Sequence, residues 1–93
     1  MKIHEWDSDK NDKLQKERGI SFEEIVFYIE RGDVLDIIPN PNKKKYPNQK
    51  IYVLNIDDYI YLVPFIESED MVFLKTIIPS SKATKKYSKR GEL

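Results

Sequence analysis

An α+β domain is what these 93 residues predict, with two helices packed on an antiparallel sheet of about four to five strands and a short helix at the C-terminal end. Three observations carry that expectation. "SFEEIVFYI", residues 21–29, joins a helix-capping signature to an apolar stripe at helical spacing. "KIYVLNI" and "YIYLVPFI" are apolar runs on either side of Asp57-Asp58, a two-residue hairpin signal. "VLDIIP" and "MVFLKTII" add two more runs, each closed by proline.

Taken in order, Lys2 to Trp6 reads as a short first strand, and Asp7 as the cap of a helix that Gly19 ends after Arg18. This helix is polar; Leu14 is its only large aliphatic residue, so it belongs on the surface, anchored by Trp6 and Leu14. In the second helix Ser21 accepts from the backbone of Glu24, and Phe22, Ile25, Val26 and Ile29 form one stripe. Gly32 closes it one position beyond the cap.

A strand over 34–39 follows, then "NPNKKKYPNQ", a ten-residue loop long enough to be mobile or functional. Pro64 has no amide to give to a ladder, which predicts a bulge or an edge position for it. "MVFLKTII" reads as one continuous strand after the turn at Glu67–Asp70. Ser80 or Ser81 caps a last helix running towards Lys89. With no repeat, linker or glycine-rich phosphate loop, residues 1–93 make a single domain.

Composition narrows the chemistry. No apolar run approaches 18 residues, so no membrane span is expected. "MKIHEWDSDK" turns polar by residue 5 and has no signal-peptide core, which points to a cytoplasmic protein. Without cysteine there is no disulfide, thiolate chemistry or cysteine zinc site. His4 is the one histidine, and acid pairs such as Asp57-Asp58 fall in turns, so neither a metal nor a cofactor is expected. Ser80 and Ser81 have no base near them in sequence, which argues against a serine-histidine-aspartate mechanism.

Zero net charge conceals a segregation. Lys75, Lys82, Lys85, Lys86, Lys89 and Arg90 face a single acid, Glu92, in the last nineteen residues. Lys43, Lys44, Lys45 and Lys50 add a second basic group. Such a layout offers one basic face to a polyanion.

Cleaving RNA without metal needs little beyond cations and proton carriers, because the 2′-hydroxyl of the substrate is the nucleophile. Arg18, Lys82, Tyr87 and Glu23 are the candidate catalytic groups, with Glu24 a weaker alternative to Glu23 because capping already employs it. Lys75, Lys85 and Lys86 are candidate phosphate contacts, joined by Ser80 and Ser81 at the start of the last helix. Of the tyrosines, Tyr52, Tyr59 and Tyr61 read as sheet packing, whereas Tyr46 and Tyr87 are less committed to it.

"HEWDSDKNDKLQKERGISFEEI", residues 4–25, resembles the opening of BrnT-like toxins, whose pattern runs E-W-D-x-x-K-N and then K-H-G-[IV]-S-F-E-E. Glu5, Trp6, Asp7, Lys10, Asn11, Gly19, Ile20, Ser21, Phe22, Glu23 and Glu24 match in order. "IIPSSKATKKY" is similar to the I-I-S-A-R-K-A-T segment of that family through Ile77, Ile78, Lys82, Ala83 and Thr84.

The resemblance implies a RelE-like fold and a metal-independent endoribonuclease, the toxin of a type II toxin–antitoxin pair. Its implied partners are messenger RNA, whether or not on the ribosome, and a cognate antitoxin protein. Three positions depart from the pattern. Arg18 stands where the family usually has histidine, and Ser81 where it usually has arginine. A glutamate further along the last helix has no counterpart after Thr84. An active divergent toxin and a non-catalytic RNA- or protein-binding module of the same fold both follow from these residues.

Overall fold

The computed structural model describes residues 2–89 and 91. Arg90 and Glu92, counted above with the basic tail, lie outside the described residues. In chain order the elements are β1 (Ile3–Glu5), α1 (Ser8–Arg18), α2 (Phe22–Glu30), β2 (Val34–Pro39) and β3 (Gln49–Ile56). They continue with β4 (Tyr59–Glu67), β5 (Met71–Leu74), β6 (Ile78–Pro79) and α3 (Ser81–Lys89). The fold is α+β.

Local signals place the helix ends. Asp7 accepts from the amides of Asp9 and Lys10 at 2.9 and 3.3 Å, and Gly19 ends α1 at φ +66°. Ser21 Oγ accepts from the Glu24 amide at 3.2 Å. At the far end of α2 the Gly32 amide reaches Ile29 O, and that of Asp33 reaches Tyr28 O. This is the two-bond Schellman closure, with Gly32 at φ +87°.

β2, β3 and β4 form an antiparallel meander, and Asp57 and Asp58 both take positive φ in the hairpin turn between β3 and β4. The full order is β1-β5-β4-β3-β2, with β6 also on β4. Two expectations need correction. The sheet is mixed, because β1 lies parallel to β5, joined to it through the Ile3 amide on Asp70 O at 3.0 Å.

Residues 71–78 are also not one strand. β5 pairs with β4 at residues 65–67 and β6 pairs with β4 at residues 61–62, with a break between them. Pro64 sits opposite that break. Its carbonyl accepts from the Lys75 amide at 2.8 Å, and amide and carbonyl of one strand residue face the same neighbour. The missing donor of Pro64 therefore meets the break, and a proline predicted for an edge or bulge is buried in a central strand.

The two faces of the sheet carry separate apolar clusters. On one, Phe22 and Ile25 of α2 with Leu14 of α1 pack on Tyr52, Leu54, Val63, Phe65 and Leu74. Tyr52 and Phe65 stack there, 4.0 Å between ring centroids. On the other, α3 presses Tyr87 and Ala83 onto Val53, Ile60 and Leu62. Two helices thus cover one face and one helix part of the other. No helix among the described residues is long and apolar enough to cross a membrane.

Candidate functional site

The second face of the sheet opens into a cleft of about 300 Å³. Pro64 and Ile78 supply apolar surface. Lys75 and Thr76, in the break between β5 and β6, stand on one side, and Lys10 reaches in from the first turn of α1. Asn40 and Tyr46, from the loop between β2 and β3, and Gln49, the first residue of β3, stand on the other. No carboxylate lines it. A larger hollow of about 490 Å³ runs along α1 alone, where Asp9, Asp12 and Glu17 offset Lys13 and Lys16, and no separate element converges on it.

The loop wall is built by its own hydrogen bonds. The Asn40 and Gln49 backbones pair at 3.0 Å, the Tyr46 amide reaches Asn42 O at 2.9 Å, and the Lys45 amide reaches Asn42 Oδ1 at 3.2 Å. Closing ten residues this way fixes where the Tyr46 ring stands. That ring is partly exposed, with Lys45 Nζ 5.3 Å from its centroid.

The helix that overlooks the cleft also has a fixed phase. Ser80 caps α3, its Oγ accepting from the Ala83 amide at 3.0 Å. The Ser80 amide is held by Ile60 O at 2.9 Å, and Thr84 Oγ1 accepts from the Ile60 amide at 2.8 Å. Tyr87 then reaches Asp36 of β2, so α3 crosses from β6 towards β2 with Ala83, Thr84 and Tyr87 down. At about 100° per residue, right-handed winding turns Lys82 and Lys86 towards the cleft, while Ser81 and Ser88 look away from it. Lys85 and Lys89 ride above, so the four lysines occupy one side of the helix.

The residues singled out from sequence divide accordingly. Lys75 lies in the cleft, its Nζ also 5.4 Å from the Phe73 ring. Lys82, Lys85 and Lys86 are exposed on α3. Ser81 is exposed as the first residue of the helix, whereas the Ser80 hydroxyl is used in the cap.

Arg18 donates from Nη1 to Ile77 O at 2.7 Å, which ties α1 to the chain leading into α3. Lys82 lies five positions beyond Ile77, so their Cα atoms are at most about 18 Å apart. Glu23 receives the Asn11 side-chain amide at 2.6 Å, and Asn11 Oδ1 in turn takes the Phe22 amide at 2.8 Å. Tyr87, read as uncommitted, is 4% exposed; its ring fills the second cluster and its hydroxyl lies 3.4 Å from Asp36 Oδ2.

Sequence reasoning did not select Lys10, Asn40, Gln49 and Thr76 as site residues, and gave Tyr46 no role. The long loop with its prolines and asparagines was the available signal for three of them.

No family model, no curated protein and no solved structure matches the chain. The chemistry of the cleft is that of its own side chains. It offers cations, amides, hydroxyls and an aromatic face, the groups that hold a phosphodiester and stack a splayed base. Among the described residues no cluster of three or more histidine, cysteine or acidic side chains gathers as metal ligands do.

Proposed function

We propose that this chain is a metal-independent endoribonuclease, the toxin of a type II toxin–antitoxin pair of the BrnT-like kind. One observation carries the reading: an acid-free cleft joins Lys10 and Lys75 to the aromatic face of Tyr46. The opening and closing sequence motifs supply the family resemblance that agrees with it.

In the proposed reaction the ribose 2′-oxygen attacks the adjacent phosphorus and the bond from phosphorus to the 5′-oxygen breaks. The products are a 2′,3′-cyclic phosphate and a free 5′-hydroxyl. Lys10, Lys75 and Lys82 offset the charge that gathers on the phosphoryl oxygens. The 2′-hydroxyl proton passes to solvent, and the Tyr46 hydroxyl delivers one to the departing oxygen. Arg18, Glu23 and Tyr87, which sequence put forward as catalytic, are engaged in bonds that hold the fold and enter here as supports.

A second reading, an RNA-binding module that does not cut, is favoured by the absence of histidine and carboxylate from the cleft lining. One experiment separates the two. Single-stranded RNA is incubated with the purified protein in chelator, and binding and products are followed together. The nuclease reading expects cyclic-phosphate ends and a salt slope of about −0.7 per phosphate neutralised. Salt-sensitive binding without products over long incubation selects the module, and no binding at low salt removes both. The family resemblance expects Ser81→Arg to increase RNA cleavage and growth arrest on expression, whereas the place of Ser81 on the side of α3 turned from the cleft expects no change, and expressing both versions decides between them.

A further inference from the structure

Among the described residues β2 pairs only with β3, so its other side is an open edge of the sheet. Main-chain groups along an antiparallel strand alternate between its two sides. The Asn40 amide reaches Gln49 O at 3.0 Å, which turns Asn40 towards β3. Ile38 and Asp36, opposite Ile51 and Val53, turn the same way, so Ile37 and Pro39 turn their main-chain groups outwards.

Neither residue has a donor to offer there. Pro39 has no N–H. The Ile37 amide donates to Asp36 Oδ1 at 2.9 Å. The other oxygen of that carboxylate lies 3.4 Å from the Tyr87 hydroxyl, so α3 helps to aim it. Just before these residues the register shifts between Val34 and Asp36, and the extra residue, Leu35, bends the strand. An exposed edge with apolar side chains is a template for another strand, and proline and bulges are recurrent means of blunting one. Leu35 and Ile37 are exposed here, Ile37 by 51%, which makes such blunting necessary.

We infer that Asp36 is a guard residue: it occupies the one outward amide that Pro39 leaves between residues 36 and 40, and so keeps a second copy of this chain from adding to β2. Identical strands meeting antiparallel about a two-fold axis at Ile37 are self-complementary. Each Ile37 amide would meet the Ile37 carbonyl of the other copy, and Leu35 and Ile37 would be covered. The edge runs directly into Asn40 of the cleft, so the guard also keeps that wall free of a neighbour. None of this depends on what the cleft binds.

The test reads molar mass by sedimentation across a concentration series, and hydrogen exchange at the Ile37 amide by NMR on the same samples. The unaltered protein should stay a monomer. Its Ile37 amide should exchange about tenfold more slowly than in an open chain, the factor that one net hydrogen bond supplies. Asp36→Ala frees that amide, so the mass should double with rising concentration while Ile37 exchange slows. Asp36→Asn keeps an oxygen for the amide and should remain a monomer. A folded Asp36→Ala protein that stays monomeric overturns the proposal, and so does an Asp36→Asn protein that associates as readily as the alanine variant. Should the alanine variant fail to fold, exchange of the Ile37 amide at the open-chain rate in the unaltered protein overturns it alone.

Discussion

Arg18 and Ile77, 59 residues apart in sequence, are joined by a 2.7 Å hydrogen bond from guanidinium to carbonyl. The bond locks the end of α1 to the irregular segment where β5 gives way to β6. A charged donor on a neutral acceptor is among the stronger protein hydrogen bonds. Arg18→Ala should lower stability by about 1–2 kcal/mol, read from the denaturant midpoint. It should also speed hydrogen exchange at the Ser80 amide. Unchanged exchange there would mean that the bond does not hold the approach to α3.

Asn11 is the buried polar joint between the first two helices. At 6% exposure, it satisfies both ends of its amide, on Glu23 and on the Phe22 backbone. Asn11→Leu leaves the Phe22 amide buried without an acceptor, at a cost of about 2–3 kcal/mol in chemical denaturation. Glu23→Gln keeps a carbonyl for Asn11 and should cost less than half as much.

The ring and hydroxyl of Tyr87 have separable effects. Tyr87→Phe keeps the packing on Val53 and Ile60 and should cost under about 1 kcal/mol. Tyr87→Ala opens a cavity under α3, with an expected loss of about 3–5 kcal/mol. RNA cleavage by the Phe variant should match wild type at a temperature where both are folded. A large drop would return the hydroxyl to the catalytic set.

These residues also mark how far the sequence could be read. Caps were legible because Asp7, Ser21 and Gly32 act within a few residues, and the Asp57-Asp58 turn likewise set the hairpin. The break at Lys75–Ile77 was not, since it follows from β4 changing partners at Pro64, and nothing inside "MVFLKTII" signals that. Tyr87 sits among lysines, so its burial depends on Asp36 and Val53, distant in the chain. The cleft draws on α1, the long loop, β4 and the β5–β6 break, a convergence that only tertiary packing creates. Of the residues lining it, only Lys75 had been selected as a site residue.

The lysines of α3 should be separable by helical phase. Lys82→Ala with Lys86→Ala should reduce the salt slope of RNA binding by about 1.4, two phosphates at 0.7 each. Lys13→Ala with Lys16→Ala, on α1 and away from the cleft, should leave it unaltered. Equal effects from the two pairs would indicate that RNA meets the surface without using the cleft.

Acid should loosen the end of the sheet at Glu67. The hydrogen bond from Lys2, 2.8 Å away, is the main cause holding its carboxyl below the ordinary 4.5, helped by the charges of Lys2 and Lys50. The fold therefore favours the charged form. This contribution is present above the ordinary glutamate range and is lost as pH falls through the lowered folded value. Glu67→Gln should be less stable than wild type at neutral pH, with the difference shrinking as pH falls through the lowered folded value. Midpoints measured across that range check it, and a gap that persists in acid would point to packing instead.

The two apolar clusters give mutation unequal freedom in different parts of the molecule. Lys82, Lys85 and Lys89 of α3 belong to neither cluster, so the charge of that flank can be strengthened, weakened or erased by single codon changes while the scaffold survives. Arg18 and Asn11 have no such latitude, because each ties distant segments together. Descendants of this chain should diverge first in what they hold, and only later in how they are built.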